Sequence, residues 1–173
     1  GKSTGVECYL SKRLSKNTEG WVSYTWMRAR ANASSFMSGI DPSVWTYCDW
    51  DQRHTLNAVV QYRNKDWEHN WHLFYGSGLG DTVDLSTAPY QTHGHGAVVL
   101  SWNITKKLPK GSPLGDQVFL NIWNVFNVGK ATHYYTYMYP QDPSDPNSPM
   151  VLMREPDSWI VPRFISLGVS KRF

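Results

Sequence analysis

The chain has 173 residues, enough for one domain of ordinary size. Its formal net charge of +3 and isoelectric point near 8.8 come from scattered residues rather than a basic block, which argues against a nucleic-acid partner. Mean hydropathy is −0.49, and no apolar run approaches the roughly 20 residues of a membrane-spanning helix, so any crossing of a bilayer falls to strands.

The dominant pattern is alternation of apolar and polar residues with period two, the mark of a strand with one dry face. Over 5–14, Val6, Cys8 and Leu10 alternate with Glu7, Tyr9 and Ser11. A polar turn at 17–20 leads to 21–30, where Val22, Tyr24 and Trp26 alternate with Ser23 and Thr25. A long loop, 32–53, is rich in Ser, Asp, Gly and Pro. Leu56, Ala58, Val60 and Tyr62 then share one face of a strand over 54–63, with Thr55, Asn57, Gln61 and Arg63 opposite. After a tight turn at 64–66, Trp67, His69, Trp71, Leu73 and Tyr75 oppose Glu68, Asn70, His72 and Phe74.

A second long loop covers 76–95. Val98, Leu100, Trp102 and Ile104 follow it and oppose Ser101, Asn103 and Thr105. The link 106–116 carries two Pro and two Gly. Over 117–127, Val118, Leu120, Ile122 and Phe126 share a face, and Asn124 on that face predicts a bulge or register shift. A third long connection, 128–159, contains five Pro, and its stretch 133–139 reads as an extension of the preceding strand. In the last strand, Ile165, Leu167, Val169 and Phe173 alternate with Ser166, Gly168 and Ser170.

The expectation is an all-β antiparallel meander of about seven strands, each about as long as a tilted strand needs to cross a bilayer. Its connections run short, long, short, long, shorter, long, the arrangement of outer-membrane barrels. The chain's 9 Trp and 10 Tyr suit a surface that is apolar in the middle and wet at both rims. Backbone groups in lipid must be bonded to neighbouring strands, and single-chain bacterial barrels are mostly even-stranded. An odd, open set of strands therefore reads as a curved segment of a larger barrel. The chain opens at Gly1 with no charged-then-apolar leader, which fits the same expectation.

Several short motifs, in order, resemble the C-terminal end of a TonB-dependent outer-membrane receptor. They are Gly5-Val-Glu7, Val22-Ser-Tyr-Thr25, Asp51-Gln52-Arg53-His54, Thr55-Leu-Asn57 with Tyr62-Arg63, Tyr75-Gly-Ser-Gly78, Asn124-Val-Phe-Asn127 and Leu167-Gly-Val169 with the terminal Phe173. Lys171 departs from the family pattern, which has an apolar or aromatic residue there. The resemblance spans 1–173 and implies the last third of a roughly 22-stranded barrel, with the plug domain and earlier strands absent. It implies a bacterial outer-membrane receptor taking up a scarce nutrient such as a siderophore, cobalamin or glycan. Its implied partners are outer-membrane lipid, the barrel-assembly machinery through Leu167, Val169 and Phe173, and the inner-membrane TonB complex through the missing plug.

Asp51, Arg53 and His54 pair a carboxylate with an imidazole, but no nucleophile motif accompanies them, so they are expected to order a loop-to-strand junction rather than catalyse. Neither a cofactor nor an enzymatic role is expected. His69, His72, His93 and His95 lack the spacing of a metal site. Glu7, Gln61, Arg63, Glu68 and Asn103 are expected to face a wet lumen. Cys8 and Cys48 leave a disulfide open. Two competing readings are a secreted β-sandwich that stacks sugars on Trp67, Trp71 and Trp102, and a small closed barrel with an eighth strand from 133–139 or beyond Met150.

Overall fold

A computed structural model describes residues 1–32, 43–82, 91–129 and 131–171. Twelve strands form, and no helix occurs among the described residues. They are β1 (Lys2–Arg13), β2 (Thr18–Asn32), β3 (Trp45–Tyr47), β4 (His54–Asn64), β5 (Trp67–Gly76), β6 (Gly80–Thr82), β7 (Gln91–His93), β8 (Ala97–Lys107), β9 (Gln117–Trp123), β10 (Ala131–Pro140), β11 (Met150–Trp159) and β12 (Phe164–Ser170). The main sheet follows the order β1-β2-β4-β5-β8-β9-β12, with the short β3 added to β2. All of these pairings are antiparallel. The sheet is thus an open meander of seven main strands, as the periodicity predicts, and β1 does not pair with β12.

Register shows why the alternation matters. Directly opposed residues of an antiparallel pair point to the same face, so one-face patterns must align rung by rung. They do. One rung runs Leu10, Val22, Ala58, Leu73, Leu100, and another runs Cys8, Tyr24, Leu56, Tyr75, Val98. Further along, Val60, Trp71, Trp102, Ile122 and Ile165 align, followed by Tyr62, His69, Ile104, Leu120 and Leu167. The opposite face carries the matching polar rung Arg13, Glu19, Gln61, Asn70, Asn103, Asn121 and Ser166. A one-residue slip of any strand would place polar groups in the apolar band.

Among the described residues, little covers the apolar face. Leu167 is 74% exposed, Leu10 68% and Val6 60%. Val22, Val60, Val98, Ile165 and Val169 are exposed as well. Fully burying such a side chain contributes about 1.5–3 kcal/mol. Leaving eight of them half-wet forfeits on the order of 10 kcal/mol, as much as the whole stability of a typical domain. The few buried apolar residues, Ala29, Cys48, Ala97 and Val99, lie away from this face or at the end where the long connections meet.

Two details differ from the periodicity. The long connections contain structure of their own, with β3 on β2, β6 paired to β7, and β10 paired to β11. Thus 133–139 does not prolong β9, and neither it nor the strand from Met150 joins the main sheet. Asn124 does not bulge within a strand. It adopts φ 53° just after β9 ends at Trp123, and the strand stops there. Cys8 and Cys48 are both free, the first exposed and the second buried.

Candidate functional site

The three long connections all leave from one end of the meander, and Asp51-Gln52-Arg53-His54, Ser77 and Asn124 to Asn127 lie there. Asp51 is fully buried between the end of β2 and the start of β4. Its Oδ1 accepts the Ala29 N–H at 2.5 Å. Its Oδ2 accepts Arg53 Nη2 at 2.9 Å and lies 3.1 Å from His93 Nε2 on β7. Burial pushes the Asp51 carboxyl up, but the Ala29 N–H, Arg53 and His93 together outweigh it and hold the group below the ordinary carboxylate range. Gly80 of β6 sits so close that an added Cβ would meet the Cys48 carbonyl oxygen at 2.5 Å, so only glycine lets this strand approach.

Around this carboxylate the rest of the motif divides the labour. Gln52 Nε2 donates to the Ser77 carbonyl at 2.8 Å, and its Oε1 accepts from Thr55 Oγ1 at 3.0 Å. Ser77 Oγ accepts the His54 N–H at 2.9 Å, and the Ser77 N–H returns to the His54 carbonyl at 2.8 Å. His54 Nδ1 lies 2.7 Å from the Tyr24 hydroxyl. Arg53 lies over the Tyr47 ring at 4.9 Å. Burial works against the charge of Arg53, but its bonds to Asp51 and Tyr47 favour it more and raise its pKa. The Arg53 hydrogen bond, helped by the charge of Arg28, lowers the Tyr47 pKa against the effect of burial. Burial, then the charges of Asp49 and Asp51, pushes the Cys48 thiol up.

The second motif anchors the third connection. Asn124 is fully buried, and its Nδ2 donates to the Val128 and Val161 carbonyls at 3.0 and 2.9 Å. Its Oδ1 accepts the Val128 N–H at 3.0 Å. Asn127, also at φ 53°, accepts the Arg163 N–H at 2.9 Å. Asparagine tolerates this left-handed conformation and supplies both donor and acceptor, which explains its use twice in four residues. Asp51 is occupied by backbone and neighbouring side chains and Asn124 by backbone, so their polar atoms hold the loop roots in place. The two motifs anchor different connections.

The other expected residues fall on the two faces. Leu167 and Val169 are on the apolar face in register with Leu120 and Val118, while Phe173 lies outside the described residues. Trp67, Trp71 and Trp102 do come together, but around His69 and on the apolar face. The His69 ring stacks 5.5 Å from Trp71, 6.0 Å from Trp102 and 6.1 Å from Trp67. His72 points to the opposite face and bonds Asn57 at 3.1 Å. On that polar face Gln61 and Asn70 converge on Glu68, and Arg63 bridges Glu19 at 3.1 Å and Glu68 at 3.6 Å. Among the described residues no group of three His, Cys, Asp or Glu is placed to hold a metal.

Sequence reasoning missed His93 as a partner of Asp51, Tyr47 as the ring beneath Arg53, and Val161 as the acceptor for Asn124. Only Ser77 carried a signal, within Tyr75-Gly-Ser-Gly78. No protein-family profile, curated protein or solved structure matches the chain.

Proposed function

We propose that this chain is a strand-rich segment of a transmembrane β-barrel in a bacterial outer membrane, the C-terminal portion of a TonB-dependent receptor. In this reading the apolar face meets lipid and the polar face lines the lumen. The missing strands of a roughly 22-stranded barrel pair with the free edges of β1 and β12. The complete receptor binds a scarce nutrient outside and admits it when the inner-membrane complex acts on the plug. The segment takes part in transport rather than catalysis, and alone it transports nothing.

The observation that carries the reading is the alignment of one apolar face across all seven main strands, with little packed on it among the described residues. An exposed band of that extent is foreign to a water-facing surface and natural against lipid. The three long connections at one end, rooted by the buried Asp51 and Asn124 and the half-buried Gln52 and Ser77, support it further. The ordered motifs that resemble the receptor family point to that family among barrels.

The test is depth and face labelling. Single cysteines replace Leu73, Leu100, His72 or Ser101 in a Cys8→Ser, Cys48→Ser background, and each carries a polarity-sensitive fluorophore in lipid vesicles. Labels at 73 and 100 should report hydrocarbon, and labels at 72 and 101 water. Equal polarity on the two faces would defeat the membrane reading.

A further inference from the structure

We infer that Lys2, Arg28 and Arg30 form a binding site for the phosphate of an anionic lipid headgroup whose tails lie along the apolar band. The inference rests on the membrane reading above and adds to it a site and a ligand chemistry.

The placement comes from register. On the apolar face, β1 and β2 present the rungs Leu10–Val22, Cys8–Tyr24 and Val6–Trp26. The next two rungs on the same face are Thr4–Arg28 and Lys2–Arg30. Same-face rungs are about 7 Å apart, so the cations begin one step beyond the last apolar pair. β3 then lies beside β2 and sets Tyr47 opposite Arg30 and Trp45 opposite Asn32. A hollow of about 240 Å³ opens between Lys2, Thr4, Arg28, Arg30 and Trp45.

The cations are held in place by aromatic rings and a backbone carbonyl, with no carboxylate paired to them among the described residues. Lys2 Nζ lies 4.8 Å from the Trp45 ring centre, while Arg28 and Arg30 lie over Tyr47 at 5.8 and 5.3 Å. Arg30 Nη2 donates to the Trp45 carbonyl at 3.4 Å. No salt bridge among the described residues includes any of the three. The buried carboxylate at this end of the sheet, Asp51, is taken by Ala29, Arg53 and His93. The Nε–H groups of Arg28 and Arg30 are shielded from water and have no acceptor among the described residues. Three cations gathered at one end of the apolar band attract a phosphate by their summed charge. A soluble anion would meet the same charges, but only a lipid also uses the apolar rungs directly beneath them.

The test titrates phosphatidylglycerol or phosphatidylcholine into the detergent-solubilised chain and counts bound lipid by native mass spectrometry. The chain should prefer phosphatidylglycerol. Changing Lys2→Gln, Arg28→Gln and Arg30→Gln together should weaken that binding roughly a hundredfold, about fivefold per charge. The Arg28→Lys, Arg30→Lys variant keeps the charge and should stay within a few-fold of the parent, which separates loss of charge from loss of fold. Glycerol phosphate, the same headgroup chemistry without tails, should not displace the lipid.

Undiminished phosphatidylglycerol binding by the triple variant would overturn the site. Displacement by glycerol phosphate would overturn the lipid as its source. Equal binding of the two lipids would remove this inference and leave the membrane reading intact. Failure to take up either lipid would remove both.

Discussion

The two ends of the sheet are built differently. At one end, β1 to β2, β4 to β5 and β8 to β9 are joined across 14–17, 65–66 and 108–116. Side chains there are largely exposed, and the Arg63–Glu19 bridge has both partners half in water. At the other end three long connections leave the sheet, and each is tied at its root by a side chain bonded to backbone. Asp51 ties the first to Ala29, Ser77 and Gln52 tie the second to the first, and Asn124 ties the third to Val161. A short turn hands the chain directly to the next strand. A long connection carries more closure entropy, and its ends stay fixed only where specific bonds hold them.

The comparison breaks most visibly at Asn124. Asn124→Ala leaves the Val128 N–H and two carbonyls without their partner and puts alanine at φ 53°. Unsatisfied buried groups cost about 1–3 kcal/mol each and the left-handed conformation about 1–2, with partial relaxation. The expected loss is about 3–5 kcal/mol in denaturant unfolding of the chain in detergent. Glu19→Ala at the opposite end removes an exposed bridge and should cost less than about 1 kcal/mol. Equal losses would erase the distinction between the ends.

The two faces offer the next largest contrast. Leu100 sits on the apolar face opposite Leu73, while Asn103 sits on the polar face between Asn70 and Asn121. On the membrane reading proposed above, Leu100→Lys in vesicles should cost about 2–4 kcal/mol, the value for a lysine facing lipid at the midplane. Asn103→Lys should change stability by less than about 1 kcal/mol. Unfolding titrations in vesicles check both values.

How far the sequence was legible follows the same division. The seven main strands were readable because a dry face imposes period two, and Leu56, Ala58 and Val60 or Val98, Leu100 and Trp102 display it openly. The order of pairing followed from loop lengths. The rim was not readable in this way. Asp51 looks in the sequence like any loop carboxylate, and its bond to His93 depends on a hairpin whose strands, Gly80–Thr82 and Gln91–His93, are too short for periodicity to reveal. Asn124 was noticed because it interrupted an apolar face, but an interruption does not say whether the strand bulges or ends. The φ of 53° decides that, and backbone sign is invisible where the residue is not glycine.

Asp51 gives a smaller and pH-linked contrast. Asp51→Asn keeps the shape but removes the charge that Arg53 and His93 meet, and should cost about 1–3 kcal/mol. The linkage has a definite sign. The folded pKa lies below the ordinary value of about 3.9, so the contribution is fully present above that pH and is lost as pH falls through the depressed value. The Ala29 amide proton shift should therefore hold steady from neutral pH down to about 4 and move only below it. Movement at higher pH would mean that another group governs the anchor.

The smallest expected effect lies at the short-turn end and runs in the opposite direction. Asn64 pairs with Trp67, so Lys65 and Asp66 alone make the turn between β4 and β5. Lys65 adopts φ 40°, at a position where two-residue hairpins favour Gly, Asn or Asp. A lysine there carries about 1–2 kcal/mol of steric cost from its Cβ. Lys65→Gly removes that cost but enlarges the freedom of the unfolded chain, which takes back about 0.4–1 kcal/mol. The balance should be a gain of roughly 0.5 kcal/mol in unfolding free energy. Lys65→Val, β-branched and least able to adopt positive φ, should instead lose about 1 kcal/mol. No root anchor is involved in either change, so the Ala29 and Val128 amide shifts should stay where they are. A loss of stability in Lys65→Gly would show that the turn is held by contacts of the lysine side chain, and that this end too depends on a side-chain anchor.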